Sequence, residues 1–265
     1  MKSPRDVLIV DYCRTPFAKS GTKLKDIHPA ELGKVALGEL IQKTNLDVRL
    51  VDEVIVGNTG NPADAVNIGR VVALGAGVPL KTSAYTVHRN CASALESLSQ
   101  GFEKIRGGTM DVILAGGTEN MSQLPTLLPK KIQSIFDKLF VAKGPGQALP
   151  LLWKLFVAEL KQLKALATGN MKDDYFPVIS VMQGLTDPFV GINMGQTAEI
   201  LAKEWGISRE EQDQFALRSH QRASEAALNG KLGEEIVPLG LPPDYKEFVT
   251  ADIGPRANQT MEALA

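Results

Sequence analysis

The chain has 265 residues, 44% hydrophobic and 22% charged, and its 29 basic and 30 acidic side chains leave a formal net charge of −1. That length supports one or two domains with a substantial core, and the balanced charge offers no global basic field for nucleic acid. No run approaches the ~18 uninterrupted apolar residues of a membrane-spanning helix, and two cysteines without paired spacing, Cys13 and Cys91, point to a reducing compartment.

Val7–Val10 is a short continuous apolar run, the pattern of a strand covered on both faces. It is reached with no signal or transit pattern before it, so the expected setting is the cytoplasm, in a bacterium. Arg14-Thr15-Pro16 then turns the chain, and Cys13 beside it reads as a packing residue. A helix is predicted over 30–43 with Leu32, Val35, Ala36 and Leu40 on its inner stripe. Val54–Val56 is a second strand; Gly57 and Gly60 flank a loop that fits neither a P-loop nor a dinucleotide fingerprint. A helix through Asn67, Arg70, Val71 and Leu74 follows, then a third strand ending in Tyr85–Val87 and a fourth over Val112–Ala115. Continuous apolar strands alternating with helices predict an α/β fold, a mostly parallel sheet between helices. Right-handed crossovers place the strand C-terminal ends along one edge.

Between the third and fourth strands lies the stretch the chain is organised around, from Tyr85 to Leu98. It reads as strand, abrupt turn and helix. The spacing of Cys91, Ala94, Leu95, Leu98, Phe102 and Ile105 predicts one buried helix face, closed by Gly107-Gly108. Cys91 falls at the helix start, where unpaired backbone N–H groups and the positive end of the macrodipole favour a thiolate and can hold an oxyanion beside it. Two readings of the position stand: a nucleophile, or a small buried hydrophobe.

From Gln123 to about Asp187 the pattern changes. Residues 127–167 hold seven lysines against Asp137 and Glu159, a net charge of +5. Leu152, Leu155, Phe156, Leu163 and Leu166 share one helical face with Lys154, Lys161 and Lys164 opposite. Such a basic amphipathic helix either lays its apolar side on the core, its commoner use, or docks on a partner or membrane surface. Two further helices are predicted, Met194 to Trp205 and one opening with the capping box Ser208–Glu211 and ending at Asn229-Gly230.

Four motifs stand in order along the chain: Arg14-Thr15-Pro16-Phe17, His88-Arg89-Asn90-Cys91-Ala92-Ser93, Gly116-Gly117-Thr118-Glu119-Asn120-Met121-Ser122 and Met194-Gly195-Gln196-Thr197-Ala198-Glu199. Together they resemble the signature stretches of the thiolases, covering the N-terminal part of that family's chain. The resemblance implies a thiolase-like N-terminal α/β core over 1–122 and a helical, coenzyme A-binding loop domain over 123–265 that carries the basic insertion at 127–167. It implies a mixed, mostly parallel sheet whose last strand is absent, as is the C-terminal domain, leaving a sheet edge unpaired. Cys91 would carry the acyl group. Met194 would line the pantetheine pocket with Asn193 beside it, and Arg256, in the late stretch Asp252–Glu262, would contact the nucleotide end or be a plain surface arginine. Coenzyme A would be a substrate, with no covalently held cofactor and no metal. Insertions like 127–167 accompany thiolases of fatty-acid oxidation complexes.

The implied reaction is thiolysis of a 3-ketoacyl-CoA or the reverse condensation, and it needs a nucleophile, a base and an acid. The family's acid/base motifs lie in its C-terminal half and are not found here. His28, His88 and His220 read as structural, and no cluster has metal-ligand spacing. A naturally split enzyme with a separate C-terminal half, or a truncated chain, both fit, and the chain alone is expected not to turn over. Two other functions compete: a non-catalytic coenzyme A-binding or regulatory subunit, and another condensing enzyme of the superfamily. Homo- or hetero-oligomers are expected. Ala94 stands where many thiolases carry glycine, and its methyl is expected to crowd the pocket or a dimer contact.

Overall fold

The computed structural model describes residues 5–170 and 173–265. The chain divides into two compact units, one of residues 1–123 with 205–265, the other of residues 124–204. No helix of the described residues is long and apolar enough to cross a membrane.

The first unit opens with residues 5–13 in no regular element. Helix α1 (Pro29–Lys43) follows, with proline at its first position and His28 as N-cap, whose Nδ1 accepts the Ala30 N–H at 3.1 Å. Strand β1 (Glu53–Gly57), helix α2 (Ile68–Gly75, N-cap Asn67), strand β2 (Ser83–Val87), helix α3 (Ser93–Arg106) and strand β3 (Ile113–Gly117) complete the core. The sheet order is β2-β1-β3 and both pairings are parallel, Ile55 standing opposite Tyr85 and Ala115. β1 is buried along its whole length, Val54–Val56 as their apolar run requires and Glu53 with Lys104 as its ion-pair partner. Val54, Val56, Ile68, Val72 and Leu114 form the centre of the core.

Two expectations about this unit are corrected. Val7–Val10 is not a strand: Leu8, Ile9 and Val10 are 80–87% exposed and none pairs with the sheet. An apolar run becomes a strand only where a neighbouring edge takes up its N–H and C=O groups, and β3 has β1 as its one neighbour among the described residues. The inner face of α3 is also not the apolar stripe. Leu95, Leu98 and Phe102 are exposed, and the residues turned to the sheet are Ser93, Ser97 and Gly101. The helix lies so close to β1 and β3 that only small side chains fit. The buried face of α2 is Ile68, Gly69, Val72 and Ala73, with Val71 and Leu74 outside.

The tail of the chain belongs to this same unit. Arg14 donates to both oxygens of Asp252 at 2.7 and 2.8 Å and to Glu235 at 2.7 Å, and its guanidinium lies 4.5 Å from the Phe17 ring centroid. Asp252 also accepts the Phe17 N–H, and the Ile253 N–H returns a bond to the Phe17 carbonyl. The division expected at 122/123 therefore has a second crossing: residues 205–265 group with the N-terminal core because this ion-pair cluster, bidentate and largely withdrawn from water, ties them there.

The second unit holds the two-stranded antiparallel ribbon of β4 (Thr126–Leu127) and β5 (Val178–Ile179) and the helices α4 (Lys130–Phe140), α5 (Pro145–Thr168) and α6 (Ser180–Gly184). Helix α7 (Met194–Trp205) follows, with all but its last residue in this unit. In α5 the buried positions are Ala158 and Ala165, while Leu152, Trp153, Phe156, Leu160, Leu163 and Leu166 are exposed. The commoner reading of the basic helix, apolar stripe on the core, is overturned for most of the stripe: α5 packs on α4, Ala158 and Ala165 are its buried positions, Leu155 is half-buried, and Leu152, Phe156, Leu163 and Leu166 are exposed. Back in the first unit, helix α8 (Arg209–Leu228) carries the expected capping box, with Ser208 and Glu211 bonded in both directions. The ribbon of β6 (Leu239–Gly240) and β7 (Phe248–Val249) follows it.

Candidate active site

The turn that carries Cys91 is built by backbone approach. A Cβ placed on Gly57, at the end of β1, would lie 2.4–2.5 Å from backbone atoms of Ser93 and Ala94, so only glycine admits the first turn of α3 here. A Cβ on Gly117, at the end of β3, would come 2.7 Å from the Ala94 Cβ. The methyl at position 94 therefore meets a glycine across this contact. Ser97, fully buried, donates to the Gly116 carbonyl at 2.8 Å and pins the helix to the sheet.

Asn90 adopts the left-handed conformation (φ +47°), which asparagine tolerates better than most residues, and so reverses the chain immediately before Cys91. Its carbonyl accepts three donors: the Ser93 hydroxyl at 2.6 Å, the Ser93 N–H at 3.0 Å and the Thr59 hydroxyl at 3.1 Å. The Ser93 hydroxyl oxygen in turn accepts the Arg89 N–H. Thr59 and Gly60 give their N–H groups to one carboxylate oxygen of Glu119, at 2.8 and 2.9 Å. Asn58, buried, braces the same loop by donating to the Thr118 carbonyl and accepting the Asn61 N–H. Arg89 pairs with Glu96 at 2.6 Å one turn into the helix.

Cys91 itself is exposed and free. It precedes Ala92, the N-cap of α3, which has no side chain to cap the helix, so the first-turn N–H groups receive no side-chain acceptor. Of the two readings of Cys91, the buried hydrophobe is excluded. Cys13 is the cysteine that packs: its Sγ donates to the Ala36 carbonyl at 3.0 Å, and burial pushes its thiol pKa up.

The other predicted residues are distributed over both units. Arg256 shares a unit with Cys91; its guanidinium is exposed, its Nη1 donates to Gln259 at 3.4 Å, and its N–H donates to His220 Nδ1 at 3.2 Å. Asn193 and Met194 belong to the other unit. Asn193 caps α7, exchanging reciprocal bonds with Gln196, and Met194 is half exposed at the first helical position. The histidines hold structural bonds: His28 caps α1, His88 Nδ1 accepts the Asn90 N–H, and His220 receives the Arg256 N–H. Among the described residues no three His, Cys, Asp or Glu side chains are grouped for a metal. Thr59 and Glu119 were not foreseen as parts of the site. Glu119 sits in a motif visible in the sequence, but its partners are 59 and 60 residues away.

Comparison with known proteins agrees with this architecture. The thiolase N-terminal domain family model matches residues 7–265. The chain is 34% identical to the 3-ketoacyl-CoA thiolase of Pseudoalteromonas translucida, covering 100% of this chain and 57% of that one. It is 35% identical to that of Colwellia psychrerythraea, covering 98% and 55%. Among solved structures, Bacillus anthracis acetyl-CoA acetyltransferase aligns with a TM-score of 0.78 at 30% identity, over 98% of this chain and 57% of that one. Human mitochondrial 3-ketoacyl-CoA thiolase in complex with CoA aligns with 0.75 at 30%, over 96% and 55%. The chain spans about half the length of the curated relatives it matches, and it belongs to the thiolase family.

Proposed function

We propose that this chain is the acyl-carrying half of a thiolase, with Cys91 accepting the acyl group of a 3-ketoacyl-CoA in thiolysis or of an acyl-CoA in condensation. The observation that carries the reading is the exposed Cys91 sulfur at the uncapped start of α3, on a turn fixed by Gly57, Ser93 and Thr59. The thiolate attacks the ketone carbonyl in thiolysis or the thioester carbonyl in condensation, and the oxyanion forms beside the α3 N-terminus; as it collapses the acyl group stays on the sulfur, and the acetyl-CoA carbanion, which takes up a proton, or the coenzyme A thiolate leaves. The base and acid are proposed to come from a complementary C-terminal half, since the three histidines here are committed to structural bonds. Arg256, Asn193 and Met194 are proposed to contact coenzyme A, as an unpaired guanidinium edge and a half-exposed thioether beside a helix start would suit. Two free cysteines fit a reducing, cytoplasmic setting. Incubation with acetyl-CoA should place one acetyl group on the chain by intact mass, and none on Cys91→Ala. Multiple-turnover thiolysis should require the C-terminal half; turnover by the chain alone would overturn the division of labour. In a reconstituted assembly Cys91→Ser should abolish thiolysis. Retained activity would favour a regulatory subunit.

Two exposed apolar surfaces support partners. Leu95, Leu98 and Phe102 on α3, next to Cys91, are proposed to meet a second copy of the chain, which sedimentation of wild type against Leu95→Glu tests. The outward stripe of α5, in a segment of net charge +5, is proposed to dock on an anionic lipid surface. Vesicles containing anionic lipid should pellet wild type but not Lys154/Lys161/Lys164→Glu. Equal partitioning of the two proteins would remove charge-assisted docking.

A further inference from the structure

Beyond the nucleophile, one carboxylate stands out. Glu119 touches neither Cys91 nor, through its side chain, any other part of the α3 turn, yet it holds the loop that does. Its Oε2 takes the N–H groups of Thr59 and Gly60, and Thr59 then gives its hydroxyl to the Asn90 carbonyl. The Asn90 carbonyl and the Cys91 N–H belong to one planar peptide group, so fixing the oxygen fixes the direction of the N–H. No hydrogen bond among the described residues engages that N–H. It is free for an oxyanion.

We infer that Glu119 and Thr59 are positioning residues that aim the Cys91 N–H at the oxyanion of acyl transfer. The inference rests on the reading of Cys91 as the acyl acceptor. Asn90 alone would hold its left-handed backbone loosely, because that conformation is sparsely populated outside glycine. Ser93 restrains the carbonyl from within the turn, and Thr59 restrains it from a separate strand end. With the Thr59 hydroxyl gone, the carbonyl keeps only donors from the same short turn, and the peptide plane can rock. With the Glu119 carboxylate gone, two N–H groups of the Thr59 loop lose their acceptor and Thr59 loses its place. The consequence is selective. Acylation passes through an oxyanion, whereas alkylation by iodoacetamide displaces iodide at carbon and needs no oxyanion donor.

The test measures both reactions on the same protein. For Thr59→Val the rate of acetylation by acetyl-CoA should fall about tenfold or more relative to wild type while iodoacetamide alkylation stays within about twofold, a part of the 10²–10³ that loss of a whole oxyanion donor costs. Thr59→Ser, which keeps the hydroxyl, should restore acetylation. Glu119→Gln should fall between wild type and Glu119→Ala. A parallel fall in both rates, or no fall in either, overturns the positioning role. Amide hydrogen exchange gives a readout that does not depend on acyl transfer: the Ala92 and Ser93 amides, bonded to the Arg89 and Asn90 carbonyls, should exchange about tenfold faster in Thr59→Val, and unchanged protection would overturn the inference. If wild type is alkylated but not acetylated, and exchange responds as expected, the failure lies with the acyl-acceptor reading and the positioning of the turn stands.

Discussion

Helices α3 and α5 obey one rule and use it for different ends. Each buries small residues and exposes large ones: Ser93, Ser97 and Gly101 face the sheet from α3, and Ala158 and Ala165 are the buried positions of α5. In α3 the small face is locked by a serine hydroxyl bonded across to β3 and by the close approach of its first-turn backbone to Gly57 of β1. In α5 the buried positions are the alanines Ala158 and Ala165, with Leu151 and Leu155 half-buried beside them. The first arrangement fixes a side chain to within hydrogen-bond tolerance. The second only joins two helices and leaves an apolar stripe free for something else. Precision at a site comes from directional contacts, and alanine contacts have no direction.

The sharpest way to break the comparison is at Gly57. Gly57→Ala puts a Cβ 2.4–2.5 Å from Ser93 and Ala94 backbone atoms that no rotamer change can clear. Urea unfolding should show a loss of about 3 kcal/mol or more, and Cys91 alkylation kinetics should change with it. A stability within about 0.5 kcal/mol of wild type would show that α3 can ride away from the sheet, and that its small face is not a lock.

The Arg14 cluster, also in the first unit, sharpens the polar side of the contrast through pH. Hydrogen bonds from Arg14 hold the Asp252 carboxyl below the usual aspartate range. A carboxylate with a depressed folded-state pKa contributes stability that is present above the unfolded value, near about 3.9, and is lost as pH falls through the folded value. Asp252→Asn should therefore cost about 2 kcal/mol near neutral pH, and its unfolding curve should converge with that of wild type as the pH drops below about 4. A gap that persists unchanged in acid would mean that packing, not charge, makes the clamp. Ser97→Ala should cost less, about 1–2 kcal/mol, as a buried hydroxyl bonded to the Ala94 and Gly116 carbonyls is removed.

The three central strands were legible because β1 reads as an apolar run and is buried throughout. The capping box at Ser208, the stop at Gly230 and the position of Cys91 at a helix start were legible because they are local chemistry. Periodicity misled wherever hydrophobic size was taken for burial. In α3 and α5 the tightest interfaces select small residues, and the large ones go outward. Val7–Val10 misled for a related reason, since strand formation depends on a partner edge that no local pattern encodes. The Glu119–Thr59–Asn90 connection was invisible because it joins three loops whose meeting is set by the sheet register. Arg14 and Asp252 are separated by 238 positions, so their pairing, and with it the return of the chain's tail to the first unit, had no local signal.

The smallest expected effect is the one that separates the two helices most cleanly. Replacing Leu160 and Leu163 by Gln changes residues that are 51% and 62% exposed, so folding stability should move by no more than about 0.5 kcal/mol. The same double change should lower partitioning onto anionic vesicles severalfold, because those side chains would enter the lipid boundary when α5 docks. On α3 the matching change, Leu95 and Leu98 to Gln, should also be nearly neutral for stability yet leave vesicle binding untouched and weaken self-association instead. A large stability loss in the α5 variant would mean that its stripe packs on protein in solution. The contrast drawn from burial would then fail for that helix while standing for α3.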